Sequence, residues 1–174
     1  MSIEDINSAI RDVIDFPKPG IVFKDITPML QDAKLFNEVI DLFVERCGDS
    51  KPDYIVGLDA RGFIFGAPLA VKLGCGFIPV RKKGKLPFET LAKSYELEYG
   101  EATLEIHEDA LKPGDKVVIV DDLLATGGTI SAAVELVKKL GAEINSIEFL
   151  MELSFLDGKE KIKNETFNAL ISVD

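Results

Sequence analysis

The chain has 174 residues, of which 47% are hydrophobic and 29% are charged, and its formal net charge is −10. This length is typical of one globular domain, which we expect to span residues 1–174. The acidic balance argues against nucleic acid and against anionic membranes as partners. The single histidine argues against a Ser-His-Asp triad, and Cys47 and Cys75, which lack a paired spacing, predict free thiols in a reducing, cytoplasmic compartment.

Apolar periodicity predicts the elements of the first part of the chain. Ser2 is a suitable N-cap for a first helix, whose apolar positions recur at helical spacing over residues 3–14. The proline-rich stretch 16–20 ends that helix, and residues 21–23 form a short strand. A clear amphipathic helix is predicted over Ala33–Cys47.

Short apolar runs that alternate with helical patterns dominate the remainder. The run Asp59-Ala60-Arg61-Gly62 introduces a helix to residue 73, and alternating polar and apolar residues predict a β-hairpin with its turn at Gly100-Glu101. Strands separated by helices imply an α/β fold with a mostly parallel sheet flanked by helices. Ligands of such sheets bind beyond the carboxyl ends of the strands. The predicted strands are Tyr54–Leu58, 76–80, 117–120, 144–153 and Phe167–Val173.

The most informative stretch is 117–129. Four β-branched residues predict a strand buried on both faces, which ends at Asp121 and Asp122. A loop of small residues then opens onto a helix, and its backbone N–H groups, together with the helix dipole, favour a phosphate monoester. Since carboxylates repel an anion, we expect the two acids to meet a ribose 2′,3′-diol or hydroxyls shared with Mg²⁺. The loop residues are Ala125, Thr126, Gly127, Gly128 and Thr129.

A second polar turn follows the strand Tyr54–Leu58. Arg61 stands beside Gly62 immediately before a helix. Its guanidinium can bind phosphate oxygens in a bidentate manner, and the first N–H groups of the helix are further donors for them. Both acidic strand ends lie at carboxyl ends of strands and can therefore face one site. The basic run of residues 81–85 is notable in an acidic chain, because a site for a polyanion needs local cations.

These motifs together resemble the type I phosphoribosyltransferases, which use 5-phosphoribosyl 1-pyrophosphate (PRPP). The similarity runs from Phe16 to Gly141 and is weak after Leu153, where the chain offers no site residues. The form of the central loop favours adenine as the acceptor base over the hypoxanthine-guanine and orotate relatives. The blocks that carry the resemblance are Phe16-Pro17-Lys18-Pro19-Gly20-Ile21-Val22-Phe23-Lys24-Asp25-Ile26, Gly57-Leu58-Asp59-Ala60-Arg61-Gly62-Phe63, Gly84-Lys85-Leu86-Pro87, Leu97-Glu98-Tyr99-Gly100 and Asp121-Asp122-Leu123-Leu124-Ala125-Thr126-Gly127-Gly128-Thr129.

The resemblance implies a small N-terminal hood, a mobile flap over residues 81–94, a homodimer, and a reaction of adenine with PRPP that gives AMP and pyrophosphate. Mg²⁺ would arrive with PRPP, without a metal site built by the protein alone. It also implies a cis peptide at Ala60-Arg61. The implied catalytic residues are Glu98, which carries the proton, Arg61, Asp121 and Asp122. The implied phosphate site is Ala125, Thr126, Gly127, Gly128 and Thr129; the pyrophosphate site is Ala60, Arg61, Gly62, Arg81, Lys82 and Lys85; the adenine site is Val22, Phe23, Lys24 and Leu123; and Tyr99 guards the pocket.

Two other functions fit parts of this pattern. One is a phosphoribosyltransferase for another purine, such as xanthine. The other is a non-catalytic regulator that senses PRPP or purines, although such regulators typically append a DNA-binding domain or carry a basic face.

Overall fold

The computed structural model of the protein describes residues 1–97 and 99–174. These residues form two compact units, Met1–Phe43 and Val44–Asp174. The length of the chain predicts one domain over residues 1–174, and that stays a prediction. None of the described helices is long and apolar enough to cross a membrane.

The first unit begins with a capped helix. Helix α1 spans Ile3–Ser8, and its N-cap Ser2 forms the expected capping box with Asp5: the Ser2 hydroxyl accepts from the Asp5 amide, and the Asp5 carboxylate accepts from the Ser2 amide. The prediction that this helix continues to residue 14 is wrong, because strand β1 occupies Arg11–Ile14 and pairs antiparallel with β2, Val22–Asp25.

Cross-strand charges explain this difference. Arg11 Nη2 lies 2.6 Å from Asp25 Oδ2, and Lys24 Nζ lies 2.6 Å from Asp12 Oδ1. A helix over residues 3–14 would leave these oppositely charged side chains without their cross-strand partners.

Helices α2, Thr27–Gln31, and α3, Ala33–Cys47, follow, and α3 has the bounds that its periodicity predicts.

The second unit is built on a seven-stranded sheet in the order β5-β6-β4-β3-β7-β8-β9. Strands β4, β3, β7, β8 and β9 are parallel, and the antiparallel hairpin β5-β6 is added beside β4. This arrangement confirms the predicted α/β fold with a mostly parallel sheet. The elements are β3 Tyr54–Leu58, α4 Arg61–Leu73, β4 Gly76–Lys82, β5 Thr90–Leu97, β6 Gly100–His107, β7 Lys116–Leu124, α5 Gly128–Lys139, β8 Glu143–Leu153 and β9 Phe167–Val173.

The core of this unit lies where β7 meets helix α5. All four side chains of residues 117–120 are fully buried, as expected for a strand in the middle of a parallel sheet. Leu136 and Val137 of α5 are also fully buried and belong to one apolar cluster with Val117 and Ile119. Burying each such side chain contributes about 1.5–3 kcal/mol, so the strand that leads into the candidate phosphate loop is firmly held.

The hairpin is longer than the sequence indicates. Thr90 pairs with His107 and Leu97 pairs with Gly100. Gly100 and Glu101 therefore belong to β6, and the prediction that they form the turn is wrong. The exposed face of the hairpin carries polar residues such as Ser94, whose Oγ lies 2.8 Å from Thr103 Oγ1, so apolar residues do not mark the full length of β5.

Strand β8 buries a carboxyl group away from the predicted site. Glu148 is fully buried, and its Oε1 accepts hydrogen bonds from Ser146 Oγ at 2.8 Å and from Asn168 Nδ2 at 3.0 Å. Its Oε2 has no hydrogen-bond partner in the described part of the chain. Burial raises the pKa of Glu148, although the two hydrogen bonds and the charge of Arg46 oppose the shift.

This burial predicts a pH-dependent stability. Because the unfolded chain ionises Glu148 at a lower pH than the folded chain does, this group destabilises the fold as pH rises from the unfolded pKa through the folded one. Glu148→Gln keeps an acceptor oxygen but cannot ionise. We expect its free energy of unfolding, relative to wild type, to rise as pH increases above the ordinary range of a glutamate pKa. Chemical denaturation at a series of pH values measures the difference, and Glu143→Gln, at an exposed position of the same strand, should show no such trend.

Candidate active site

The two acids lie where β7 extends beyond its neighbour. Residues 117–120 pair with β3, but Asp121 and the following residues pair only with β8. The sequence predicts a strand over residues 117–120, which would end before the acids. In the structure the strand continues through them to Leu124. Since β3 stops at Leu58, one edge of β7 is left open beside Asp121 and Asp122, and this edge faces the start of helix α4.

Helix α4 supplies the counter-charge. Arg61 is its first residue, and Arg61 Nε lies 2.9 Å from Asp122 Oδ2. The Asp122 side chain is only 8% exposed whereas that of Arg61 is 38% exposed, so the guanidinium reaches both the buried acid and solvent. Gly62 permits this approach: a Cβ at this position would lie 2.7 Å from the Val120 carbonyl oxygen.

The acids themselves form a tightly coupled pair. Asp121 Oδ1 accepts a hydrogen bond from the Asp122 amide at 2.9 Å. Burial raises the pKa of both carboxyl groups, the charge of Asp122 raises that of Asp121 further, and Arg61 partly offsets the rise at Asp122. A ligand that brings hydroxyl donors or a cation to this pair would therefore be favoured.

The turn between β3 and α4 contains a cis peptide, but not where the family resemblance suggested. The expectation of a cis bond at Ala60-Arg61 is wrong, since the cis bond is Asp59-Ala60. Ala60 is the N-cap of α4 and Arg61 its first residue, so the bond between them enters a helix, whose peptides are trans.

Asp59 contacts basic residues of the segment 81–85. Its Oδ2 lies 3.3 Å from Arg81 Nε and 3.5 Å from Lys85 Nζ, and it accepts a hydrogen bond from the Lys82 amide at 3.4 Å. Burial raises the pKa of Asp59, but the Lys82 amide and the two cations outweigh that effect and leave the pKa lowered. Asp59 is therefore a charged anchor that holds these cations beside the Arg61 turn. The Arg81 guanidinium also lies 5.6 Å from the centre of the Phe63 ring.

The loop of small residues adopts the geometry expected for anion binding. Gly127 is the N-cap of α5 with φ +85°, a conformation that favours glycine. The first N–H groups of α5 have no acceptor within the helix and point out of its N-terminus. The loop is held from outside by two contacts: Tyr95 Oη lies 3.0 Å from Thr129 Oγ1, and the backbone of Gly158 lies against Ala125 and Gly127.

A cavity of about 640 Å³ brings these features together. Its wall contains ten of the residues that the sequence assigned to the site, together with Asp59, Tyr95 and apolar residues of the hairpin and of α5. The ten are Ala60, Arg61, Lys82, Asp121, Asp122, Leu123, Ala125, Thr126, Gly127 and Thr129.

The other assigned residues have different positions. Gly62 and Gly128 pack behind the wall, and Arg81 and Lys85 are paired with Asp59. Tyr99 is 79% exposed. Glu98 lies outside the described residues. The predicted adenine residues Val22, Phe23 and Lys24 belong to the first unit, where Lys24 pairs with Asp12, and their role stays a prediction.

Two residues of the site were missed by sequence reasoning. Tyr95 alternates inward on β5, a pattern that predicts its face but not its partner on the phosphate loop. Gly158 begins the 3₁₀ segment Gly158–Ile162, in the part of the chain where the motif resemblance is weak. No local sequence signal connects that segment with a loop about thirty residues earlier, because only the tertiary fold brings the two together.

Comparison with known proteins agrees with this geometry. Residues 27–170 match the model of the phosphoribosyl transferase domain, so fold, site and family model together define a phosphoribosyltransferase, an enzyme class that transfers pentosyl groups. Adenine phosphoribosyltransferase of Syntrophotalea carbinolica is 60% identical over 160 residues, which cover 92% of this chain and 94% of the relative. The chain belongs to the adenine phosphoribosyltransferase family, as the resemblance of its motifs predicted.

Solved structures extend this agreement to the fold. The crystal structure of adenine phosphoribosyltransferase from Thermoanaerobacter pseudethanolicus is similar with a TM-score of 0.96 and 56% identity, covering 99% of this chain and 100% of that one. The enzyme of Saccharomyces cerevisiae, complexed with an imino-altritol bisphosphate and adenine, gives a TM-score of 0.92 at 44% identity, with 97% of each chain covered.

Proposed function

We propose that this chain transfers the 5-phosphoribosyl group of PRPP to adenine and releases AMP and pyrophosphate. The observation that carries the proposal is that the acid pair, the Arg61 turn and the N-terminus of α5 meet in one cavity. Adenine is proposed as the base because relatives at 53–60% identity are adenine phosphoribosyltransferases, and the yeast relative was crystallised with adenine.

The proposed arrangement of PRPP follows from the charges of the cavity. The amide groups of the loop 125–129 would hold the 5-phosphate, and the carboxylates of Asp121 and Asp122 would accept hydrogen bonds from the ribose hydroxyls. Arg61 would contact the pyrophosphate, with Ala60 and Gly62 contributing the turn. Lys82 lines the cavity, and Arg81 and Lys85 lie on its Asp59 side, so all three are suited to balance the charge of the leaving group.

In the reaction, the bond from C1 of the ribose to the pyrophosphate oxygen breaks, a bond to the adenine nitrogen forms with inversion, and that nitrogen loses its proton. We assign the proton transfer to Glu98, a contribution of about 10²–10⁴-fold, and the guarding of the pocket to Tyr99. Val22, Phe23, Lys24 and Leu123 would bind the base. Closure of the flap 81–94 would exclude water from the developing positive charge on the ribose.

Mg²⁺ fits the donor set of this site. Burial raises the pKa of both Asp121 and Asp122, and a divalent cation near them would offset the loss of hydration of the charged forms. We propose that the ion enters with PRPP, and Asp121 and Asp122 are the residues that would hold it. When bound, it neutralises part of the pyrophosphate charge.

We further propose a cytoplasmic homodimer. Exposed apolar side chains on the second unit are compatible with a subunit contact, among them Val71 of α4 at 81% exposure and Phe88 at 61%. Both cysteines are free thiols, which is consistent with a reducing compartment.

One assay tests the proposed reaction against its alternatives. The protein is mixed with PRPP and a single nucleobase, with and without Mg²⁺, and the nucleotide product is quantified. AMP from adenine, dependent on Mg²⁺, is the expected result. Product from xanthine or another purine in preference to adenine would overturn the base assignment. Binding of PRPP without any product would instead indicate a sensing regulator.

A further inference from the structure

The hairpin strand β5 touches the phosphate loop at one side chain, Tyr95. Its hydroxyl oxygen lies 3.0 Å from Thr129 Oγ1. Its ring packs over the first residue of α5, where a Cβ on Gly128 would lie 3.0 Å from Tyr95 Cδ2. Tyr95 also lines the cavity. A phenol therefore stands directly behind one hydroxyl of the loop that the proposed function assigns to the 5-phosphate.

We propose that Tyr95 is a positioning residue for phosphate binding, which fixes Thr129 as a hydrogen-bond donor to the 5-phosphate of the substrate. This inference rests on the proposed function. A threonine hydroxyl has one proton and two acceptor lone pairs. Without a ligand, either oxygen of the Tyr95–Thr129 pair can be the donor, so the direction of this hydrogen bond is set by what binds in front of it.

A phosphate group sets that direction. Its oxygens at neutral pH are acceptors, so Thr129 contributes to binding only by donating its single proton to the phosphate. Thr129 then needs a donor behind it, and the hydroxyl of Tyr95 is within hydrogen-bond distance to fill that role. The resulting chain from Tyr95 through Thr129 to phosphate ends on a charged acceptor, and hydrogen bonds in such a chain polarise one another.

The adjacent strand provides a matched control. Thr103 lies on β6, outside the flap 81–94, and its Oγ1 lies 2.8 Å from Ser94 Oγ. Tyr95→Phe and Thr103→Val thus each delete one hydroxyl from a hydroxyl–hydroxyl pair within the same hairpin. Only the first deletion affects the phosphate loop.

The experiment measures affinities of the two variants and the wild type by calorimetry. The probes are ribose 5-phosphate, which carries the monoester, and pyrophosphate with Mg²⁺, which does not use the loop 125–129. We expect Tyr95→Phe to weaken binding of ribose 5-phosphate by about five- to tenfold, the size of one hydrogen bond coupled to a charged acceptor. Its affinity for pyrophosphate should stay within about twofold of wild type, and Thr103→Val should change neither affinity.

The outcomes separate the inference from the proposed function. An unchanged affinity of Tyr95→Phe for ribose 5-phosphate would overturn the role of Tyr95 alone. Equal losses for ribose 5-phosphate and pyrophosphate would also overturn it, since they would indicate a general disturbance of the hairpin. If the wild-type protein itself does not bind ribose 5-phosphate, both the phosphate site and this inference fail.

Discussion

Replacing Asp122 by asparagine is expected to lower kcat/KM for PRPP by about 100- to 1,000-fold while leaving the fold intact. Asp122 is buried, pairs with Arg61 at 2.9 Å and lines the cavity. The substitution keeps the shape of the side chain but removes its charge, so a ribose hydroxyl loses a charged acceptor and Arg61 loses its ion pair with Asp122. Burial disfavours the charged form of Asp122 and so raises its pKa. Removing the charge therefore offsets the loss of the ion pair, and stability should not fall.

The measurement combines steady-state kinetics with thermal unfolding. Asp53→Asn is a suitable control, because Asp53 accepts a hydrogen bond from the Lys116 amide at 2.8 Å and thus lies at the opposite, amino end of strand β7. We expect the control to retain kcat/KM within about twofold, whereas Asp122→Asn loses activity at an unchanged or higher unfolding temperature. Retention of wild-type turnover by Asp122→Asn would remove the acid pair from the site.

The acid pair of the candidate site lowers the stability of the fold. Two adjacent carboxyl groups with raised pKa values are an unfavourable arrangement. The apolar residues before them on β7 are fully buried, and their packing keeps the acids in place despite this unfavourable interaction. The same strand therefore supplies both the stability and the chemistry.

Several elements could be predicted from the sequence because a single period dominates them. The bounds of Ala33–Cys47, Tyr54–Leu58 and Phe167–Val173 agree with the structure. The helix predicted over residues 3–14 is wrong after Ser8. The isoleucines and the valine of this segment fit a helix of period 3.6, but residues 11–14 instead pair with residues 22–25 through charged partners. Periodicity within one segment cannot reveal a partner strand elsewhere in the chain.

The residues of the candidate site also fall into two groups, those that the sequence predicts and those that it does not. The residues of the two motifs, such as Arg61 and Asp122, were identified because each motif is contiguous and its chemistry depends on neighbouring residues. The supports of the phosphate loop were not identified, because Tyr95 and Gly158 reach it only through tertiary packing. Motif reasoning thus finds the groups that contact a ligand and misses those that hold them at the required distance.

Gly158→Ala provides the sharpest test of such a support. The added Cβ would overlap the carbonyl oxygen of Ala125 and lie 3.0 Å from the amide nitrogen of Gly127. Both are backbone atoms that cannot rotate away, so either the loop or the 3₁₀ segment must shift. Because displacement of a positioned group by about 1 Å can reduce catalysis by about 10²-fold, we expect kcat/KM for PRPP to fall by about 10- to 100-fold.

Gly76→Ala is the control for this substitution. Its added Cβ would lie 2.8 Å from the ring of Tyr54, a milder contact with a side chain at the amino end of β3, away from the cavity. Measured unfolding temperatures separate loss of stability, which both variants can show, from loss of PRPP turnover, which only Gly158→Ala should show. If Gly158→Ala retains kcat/KM within about twofold, the loop tolerates the shift, and its contact with Gly158 does not determine the position of the phosphate-binding amides.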